Sequence, residues 1–217
     1  MANLEGLRRG LGKYFTEPVV TVLEKTHITP NAVTCIGLLI TIVGAVLVAI
    51  GHPFAAGWVV LFAGLFDMLD GALARRTNRI TKFGGVLDST LDRVSEAAVL
   101  IGISVLFANR HSTWGVAIVG IAFIGSQLVS YIRAKADALN IPCEIGFFTR
   151  PERVVILSIG LLFGKFNNIL FTALAIIAVL SFVTAGQRLF HVWNKTKSGL
   201  LGENYASYCC YRRSVGR

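Results

Sequence analysis

Charge is scarce in this chain: only 15% of its 217 residues are Asp, Glu, Lys or Arg, whereas 54% are hydrophobic. With a mean hydropathy of +0.65, a soluble globular domain is excluded, because it would leave far too much apolar surface in water. Acidic residues are scarcer still, 12 against 21 basic ones, for a net charge of +9. Such an excess is read here as a topology signal at a membrane surface, with no nucleic acid implied. Cysteine is limited to Cys35, Cys143, Cys209 and Cys210, which have neither zinc-ligand spacing nor the density of a secreted disulfide scaffold. They are read as free thiols. Histidine occurs only as His27, His52, His111 and His191, with no partners at helical spacing, so no histidine metal site is expected. A small-residue cleavage pattern after a short apolar core is also lacking, and no cleaved signal peptide is expected.

What is present is a series of long apolar runs. Before the first of them, Leu4, Leu7, Leu11, Tyr14, Phe15, Pro18 and Val22 recur at steps of three and four, with Arg8, Arg9 and Lys13 on the other side. This pattern predicts an amphipathic helix over about residues 4–25, lying in the membrane interface. Six spans are expected to follow: about Ala32 to Ile50, Phe54 to Arg75, Gly84 to Phe107, Trp114 to Leu139, Pro151 to Gly164, and Asn168 to Arg188. Gly51-His52-Pro53, Asn109-Arg110-His111 and Lys165-Phe166-Asn167 mark short turns on one side of the membrane. Of the 21 basic residues only Arg110 and Lys165 fall in those turns. The positive-inside rule therefore places the opposite side, and both termini, in the cytoplasm, for a multi-pass protein of the cell membrane. The fifth span is apolar only from Val154 to Gly164, too short for a full crossing, so Arg153 is expected to face a wet cavity. The fold class is thus an all-α polytopic membrane protein. One domain covers residues 1–195, and residues 196–217 form a polar cytoplasmic tail.

Four aspartates sit where the second span ends and the third begins. On a helix Asp67, Asp70, Gly71 and Ala74 share one face, as do Thr81, Gly84, Asp88 and Asp92. Two facing helices would converge four carboxylates, each costing about 2.5 to 3.5 kcal/mol at the centre of a membrane helix. Arg75 and Arg93 are too few to neutralise them. Carboxylates without nearby Cys or His favour a hard divalent cation, Mg²⁺ or Mn²⁺, and two ions roughly 3.5 to 4 Å apart would account for the number of acids. Gly71 and Gly84, in register with the acids, leave room for a bulky ligand to approach both backbones.

From Asp67 to Asp92 the chain reads D-x2-D-G-x2-A-R-x8-G-x3-D-x3-D, which resembles the signature of the CDP-alcohol phosphotransferase family at every fixed position. The six-span bundle with a preceding interfacial helix resembles that family over about residues 1–195. The resemblance implies that Asp67, Asp70, Asp88 and Asp92 bind metal and that Asp92 is also the general base. It further implies that Pro30, Asn31, Thr34, Gly71, Ala74, Arg75, Thr81 and Gly84 contact the CDP-lipid donor, and that the protein is a homodimer.

For the acceptor, basic residues accumulate in Ser130-Tyr131-Ile132-Arg133-Ala134-Lys135-Ala136 and in Arg150-Pro151-Glu152-Arg153, with Arg188 on the last span. Glu144, Glu152 and Asp137 offset some of this charge. A phosphorylated alcohol would use such bases better than an uncharged one, so Arg133, Lys135, Arg153 and Arg188 are candidate ligands of an acceptor phosphate. These two stretches resemble family members that make phosphatidylinositol phosphate, or its archaeal ether counterpart, from inositol phosphate. Glycerol 3-phosphate carries the same anionic handle and stays open as the acceptor. A divalent-cation transporter or channel also explains intramembrane acids, but not the register of Gly71, Ala74, Arg75 and Gly84 with them.

Overall fold

The computed structural model describes residues 29–77, 81–143, 145–164 and 167–197. The expected interfacial helix at about residues 4–25, most of the polar tail with Cys209 and Cys210, His27, Glu144 and the Lys165-Phe166 turn lie outside the described residues. Six helices account for nearly everything else: α1 (Pro30–Ala49), α2 (Pro53–Arg76), α3 (Lys82–Asn109), α4 (Thr113–Ala138), α5 (Arg150–Leu162) and α6 (Asn167–Lys197). No strand occurs among the described residues.

Helix starts follow the local chemistry. The hydroxyl oxygens of Thr29, Thr81 and Ser112 accept from the backbone N–H groups of Ala32, Gly84 and Gly115 and so satisfy first-turn donors of α1, α3 and α4. Proline occupies the first turns of α1, α2 and α5, where its missing N–H costs nothing. A Thr149–Glu152 capping box opens α5. The turns reverse tightly, through Gly51 at φ +90° and His111 at φ +54°, so successive helices run antiparallel. Consequently the start of α1, the end of α2, the start of α3, the end of α4 and the start of α5 gather at one end.

Helices α1, α2, α4 and α6 are each long and apolar enough to cross a membrane. The other two expected spans differ for visible reasons. Helix α3 has 28 residues, but its N-terminal part carries Lys82, Asp88, Asp92, Arg93 and Glu96. Helix α5 has only 13 residues, about 20 Å at 1.5 Å per residue, against a hydrocarbon core of about 30 Å. Helix α6 continues past the expected end at Arg188 to Lys197.

The main core is built from Val48, Val60, Ile103, Phe107, Val119, Leu161 and Leu174 among others, drawn from all six helices. Outward-facing residues are as apolar as the core: Leu39 is 62% exposed, Ile101 64% and Val179 62%. That inversion suits lipid rather than water as the surrounding solvent, and the protein is a membrane protein. Helices α1 and α3 approach so closely that a Cβ on Gly102 would lie 2.4 Å from the Ala45 carbonyl oxygen. Only glycine permits that contact. A smaller cluster of Val33, Leu69 and Leu73, with Phe66 and Ala72 against it, fixes the start of α1 on the last turns of α2. It thereby sets the position of the aspartates on α2.

Candidate active site

The facing ends of α2 and α3 carry the four aspartates. Asp70 is 5% exposed; it accepts a 2.7 Å hydrogen bond from the Thr34 hydroxyl of α1 and a further one from the Gly71 N–H. The Pro30 carbonyl lies 3.1 Å from the same hydroxyl and is the other acceptor within reach of its one proton. Asp67 and Asp92, on different helices, are bridged by one guanidinium: Arg150 Nη2 lies 2.8 Å from Asp67 Oδ2, and Nη1 2.6 Å from Asp92 Oδ1. Asp88 is within electrostatic reach of Asp67 and Asp70, and Asp92 of all three others. The four carboxylates therefore lie at one end of the bundle within electrostatic reach of one another.

Two cavities flank this cluster. One, of about 290 Å³, is lined by Pro30, Asn31, Thr34, Gly71, Ala74, Arg75, Thr81 and Gly84, together with Asp70, Asp88 and Gly85. All eight residues expected to contact the donor thus share one cavity. A Cβ on Gly84 would lie 2.9 Å from Thr81 Oγ1 and 3.2 Å from Asn31 Oδ1, whereas one on Gly71 would meet only the Arg75 guanidinium, at 3.5 Å.

The other cavity, of about 400 Å³, is lined by Asp92 and by five arginines, Arg93, Arg133, Arg150, Arg153 and Arg188, with Glu96 and Asp137 as the further acids. Asp92 is the one member of the aspartate cluster that faces it. Arg153 is buried and pairs with Glu96, Nε to Oε1 at 3.0 Å, while the Ser126 hydroxyl donates to the same oxygen at 2.6 Å. Arg153 Nη1 is buried without a partner, a donor that a phosphate oxygen would satisfy. Arg188 spends two donors on the backbone: Nε to the Ile145 carbonyl at 2.8 Å and Nη1 to that of Val129 at 2.7 Å. It clamps the α4–α5 connection against α6, an approach that depends on Gly146 at φ +138°, where a Cβ would lie 2.8 Å from Thr184. Arg133 is exposed and lies 4.0 Å from Asp137. Lys135 is exposed in the last turn of α4 and is not among the lining side chains.

Arg150 and Glu96 were not singled out by the sequence reasoning. Glu96 continues the four-residue steps of Asp88 and Asp92 along α3, and that periodicity is the signal that could have found it. Arg150 stands directly before Pro151, at the helix start that aims it at the cluster, and nothing in its local pattern distinguishes it from Arg153.

The model of the CDP-alcohol phosphatidyltransferase family matches residues 27–193, most of the chain and all of the site just described. The chain belongs to the CDP-alcohol phosphatidyltransferase family. Among relatives, the phosphatidylinositol phosphate synthase of Mycobacterium marinum is 39% identical over 201 residues, spanning 89% of this chain and 86% of that protein. The crystal structure of Mycobacterium tuberculosis phosphatidylinositol phosphate synthase with CDP-DAG bound superposes with a TM-score of 0.75 at 38% identity, covering 82% of this chain and 93% of that one. The same M. tuberculosis enzyme in complex with manganese and citrate gives a TM-score of 0.74 at 38% identity, covering 82% of this chain and 88% of that one. As a CDP-alcohol phosphatidyltransferase the chain is a transferase of phospholipid biosynthesis, and the family match leaves the cation-transport alternative without support.

Among the described residues, no three His, Cys, Asp or Glu side chains are gathered tightly enough to hold a metal ion as they stand. The donor chemistry nonetheless fits a divalent cation. The cluster offers carboxylate oxygens without Cys or His, and it draws a positive side chain, Arg150, across two of its members.

Proposed function

We propose that this protein transfers the phosphatidyl group of CDP-diacylglycerol, or of an ether analogue, to a hydroxyl of inositol 1-phosphate, giving phosphatidylinositol phosphate and CMP. The observation that carries the reading is the placement of two cavities on either side of the aspartates. One is lined by the signature residues, and the other is rich in arginine and reached by Asp92. The names of the relatives agree with it.

The donor's cytidine diphosphate lies against α1, α2 and α3, where Thr34, Gly71, Arg75, Thr81 and Gly84 shape the cavity. The acceptor's phosphate lies among Arg133, Arg153 and Arg188, leaving its hydroxyl toward Asp92. The hydroxyl oxygen forms a bond to the lipid-side phosphorus, its proton passes to the Asp92 carboxylate, and the bond to the CMP phosphate breaks with CMP keeping the electron pair. Asp67, Asp70, Asp88 and Asp92 would hold two divalent ions, Mg²⁺ or Mn²⁺, which when bound stabilise charge on the pyrophosphate. Residues 1–195 act as one membrane domain of six spans plus an interfacial helix, with both termini cytoplasmic, a homodimeric assembly and residues 196–217 as a polar tail.

In the deciding assay, purified enzyme with Mg²⁺ and CDP-diacylglycerol releases CMP with inositol 1-phosphate and not with free inositol. Preference for glycerol 3-phosphate would overturn the acceptor assignment, and metal flux in liposomes without CMP release would overturn the enzyme reading.

A further inference from the structure

We infer that Arg150 is an internal counter-ion: it holds Asp67 and Asp92 in the metal-free enzyme and, once a divalent cation displaces it, turns its guanidinium to the acceptor cavity. The inference rests on the proposed reading of the aspartates as metal ligands.

Arg150 forms short ion pairs with one carboxylate of α2 and one of α3, at 2.8 and 2.6 Å, with all three side chains between 19% and 24% exposed. Helix α5 starts at this residue, so an arginine from a third element bridges two acid-bearing helices that do not pack directly on each other. A divalent ion bound by those carboxylates would sit against the guanidinium, and the repulsion is only weakly screened at this depth. One of the two has to leave. The backbone at Arg150 has separate anchors, the Thr149–Glu152 capping box and the Arg153–Glu96 pair one helical turn on. The long side chain can therefore move while α5 stays in place.

Its destination is also defined. Arg150 lines the narrow space beside Asp67 and Glu96 as well as the 400 Å³ acceptor cavity. Its Nε is buried without a hydrogen-bond partner, so the aspartates do not satisfy the whole group. On the acceptor side it meets Arg133, Arg153 and Arg188, and the acids there, Glu96 and Asp137, already face Arg153 and Arg133. The displaced charge stays unbalanced until an anion enters. Metal binding then favours acceptor binding, the acceptor favours metal by the same factor, and Asp92 loses the partner that occupies its oxygen before a proton has to be received there.

The test measures Mn²⁺ binding to the detergent-purified full chain by electron paramagnetic resonance, with no donor present. Arg150→Gln is expected to bind Mn²⁺ about tenfold tighter than wild type, the equivalent of one charged hydrogen bond no longer competing. Arg150→Lys, which cannot span both carboxylates, is expected to fall between, and it carries the test where the Gln variant does not fold. Saturating inositol 1-phosphate should tighten Mn²⁺ binding in wild type and do so less in Arg150→Gln. If wild type binds Mn²⁺ and both variants bind it equally or more weakly, the counter-ion role is overturned while the metal reading stands. If no form binds Mn²⁺, the metal reading falls and the inference with it.

Discussion

Removing Arg153 should do two separable things, because the side chain pairs with Glu96 inside the bundle and lines the arginine-rich cavity proposed to take the acceptor. It is 3% exposed, and its partner Glu96 13%. Deleting one member of so buried a pair leaves the other charge uncompensated, at a cost on the order of 3 to 5 kcal/mol. Arg153→Ala should therefore lower the Tm of the detergent-purified protein by several degrees. The same change takes away the unpartnered Nη1 and with it a charged hydrogen bond to the acceptor phosphate, about 1.5 to 3 kcal/mol, or roughly a 10- to 100-fold rise in acceptor KM. Combining it with Glu96→Gln separates the effects. With no orphaned carboxylate left, the double variant should recover most of the lost Tm and none of the acceptor KM. The assay is CMP release at saturating CDP-diacylglycerol with inositol 1-phosphate titrated, alongside thermal unfolding. An acceptor KM that returns with the Tm would show Arg153 to be a packing residue, and a rise in donor KM alone would place the acceptor elsewhere.

Asp92→Asn keeps size and polarity but removes the proton acceptor, so turnover should fall below about a tenth of wild type while the protein stays folded and still binds CDP-lipid; a faster variant would exclude the base role. Gly71→Leu fills the donor cavity at a position where the nearest neighbour is a movable guanidinium at 3.5 Å, so donor KM should rise at least about tenfold with Tm little changed. Unchanged nucleotide affinity would return Gly71 to helix packing. Gly84→Leu should also weaken donor binding, but with a loss of Tm, because its Cβ would press on the Thr81 hydroxyl that caps α3.

The cavity lined by the signature residues was legible in the sequence because those residues are close in the chain and carried by regular helices. Asp67, Asp70, Gly71, Ala74 and Arg75 lie within three turns of α2, and Thr81, Gly84, Asp88 and Asp92 within three turns of α3. Helical spacing alone brings each set to one face. Helix boundaries followed from Thr-Pro, Gly-His-Pro and Asn-Arg-His punctuation to within about two residues, except where α6 continues beyond Arg188. There the expected span stops at Arg188, yet the Phe190 and Trp193 rings lie tilted with centroids 5.7 Å apart and Lys197 lies over the Trp193 ring, contacts that the continuing helix brings together.

The arginine-rich cavity was less legible because its geometry depends on contacts between elements far apart in the chain. Counting bases pointed to segments that line it, but charge alone does not tell a ligand from a clamp. Arg188 is fixed through two backbone carbonyls, Arg153 through a carboxylate 57 positions away, and Lys135 is not among the residues lining the cavity to which Arg133 contributes. The same limitation hid Arg150, which pairs with one acid on α2, the helix that packs against its own, and with another on α3. Balancing charge within each segment leaves the cluster four negative charges to be met by metal. Across the folded site one is already matched by an arginine from α5, so on the proposed reading a cation binding there would compete with a protein charge rather than fill an empty well.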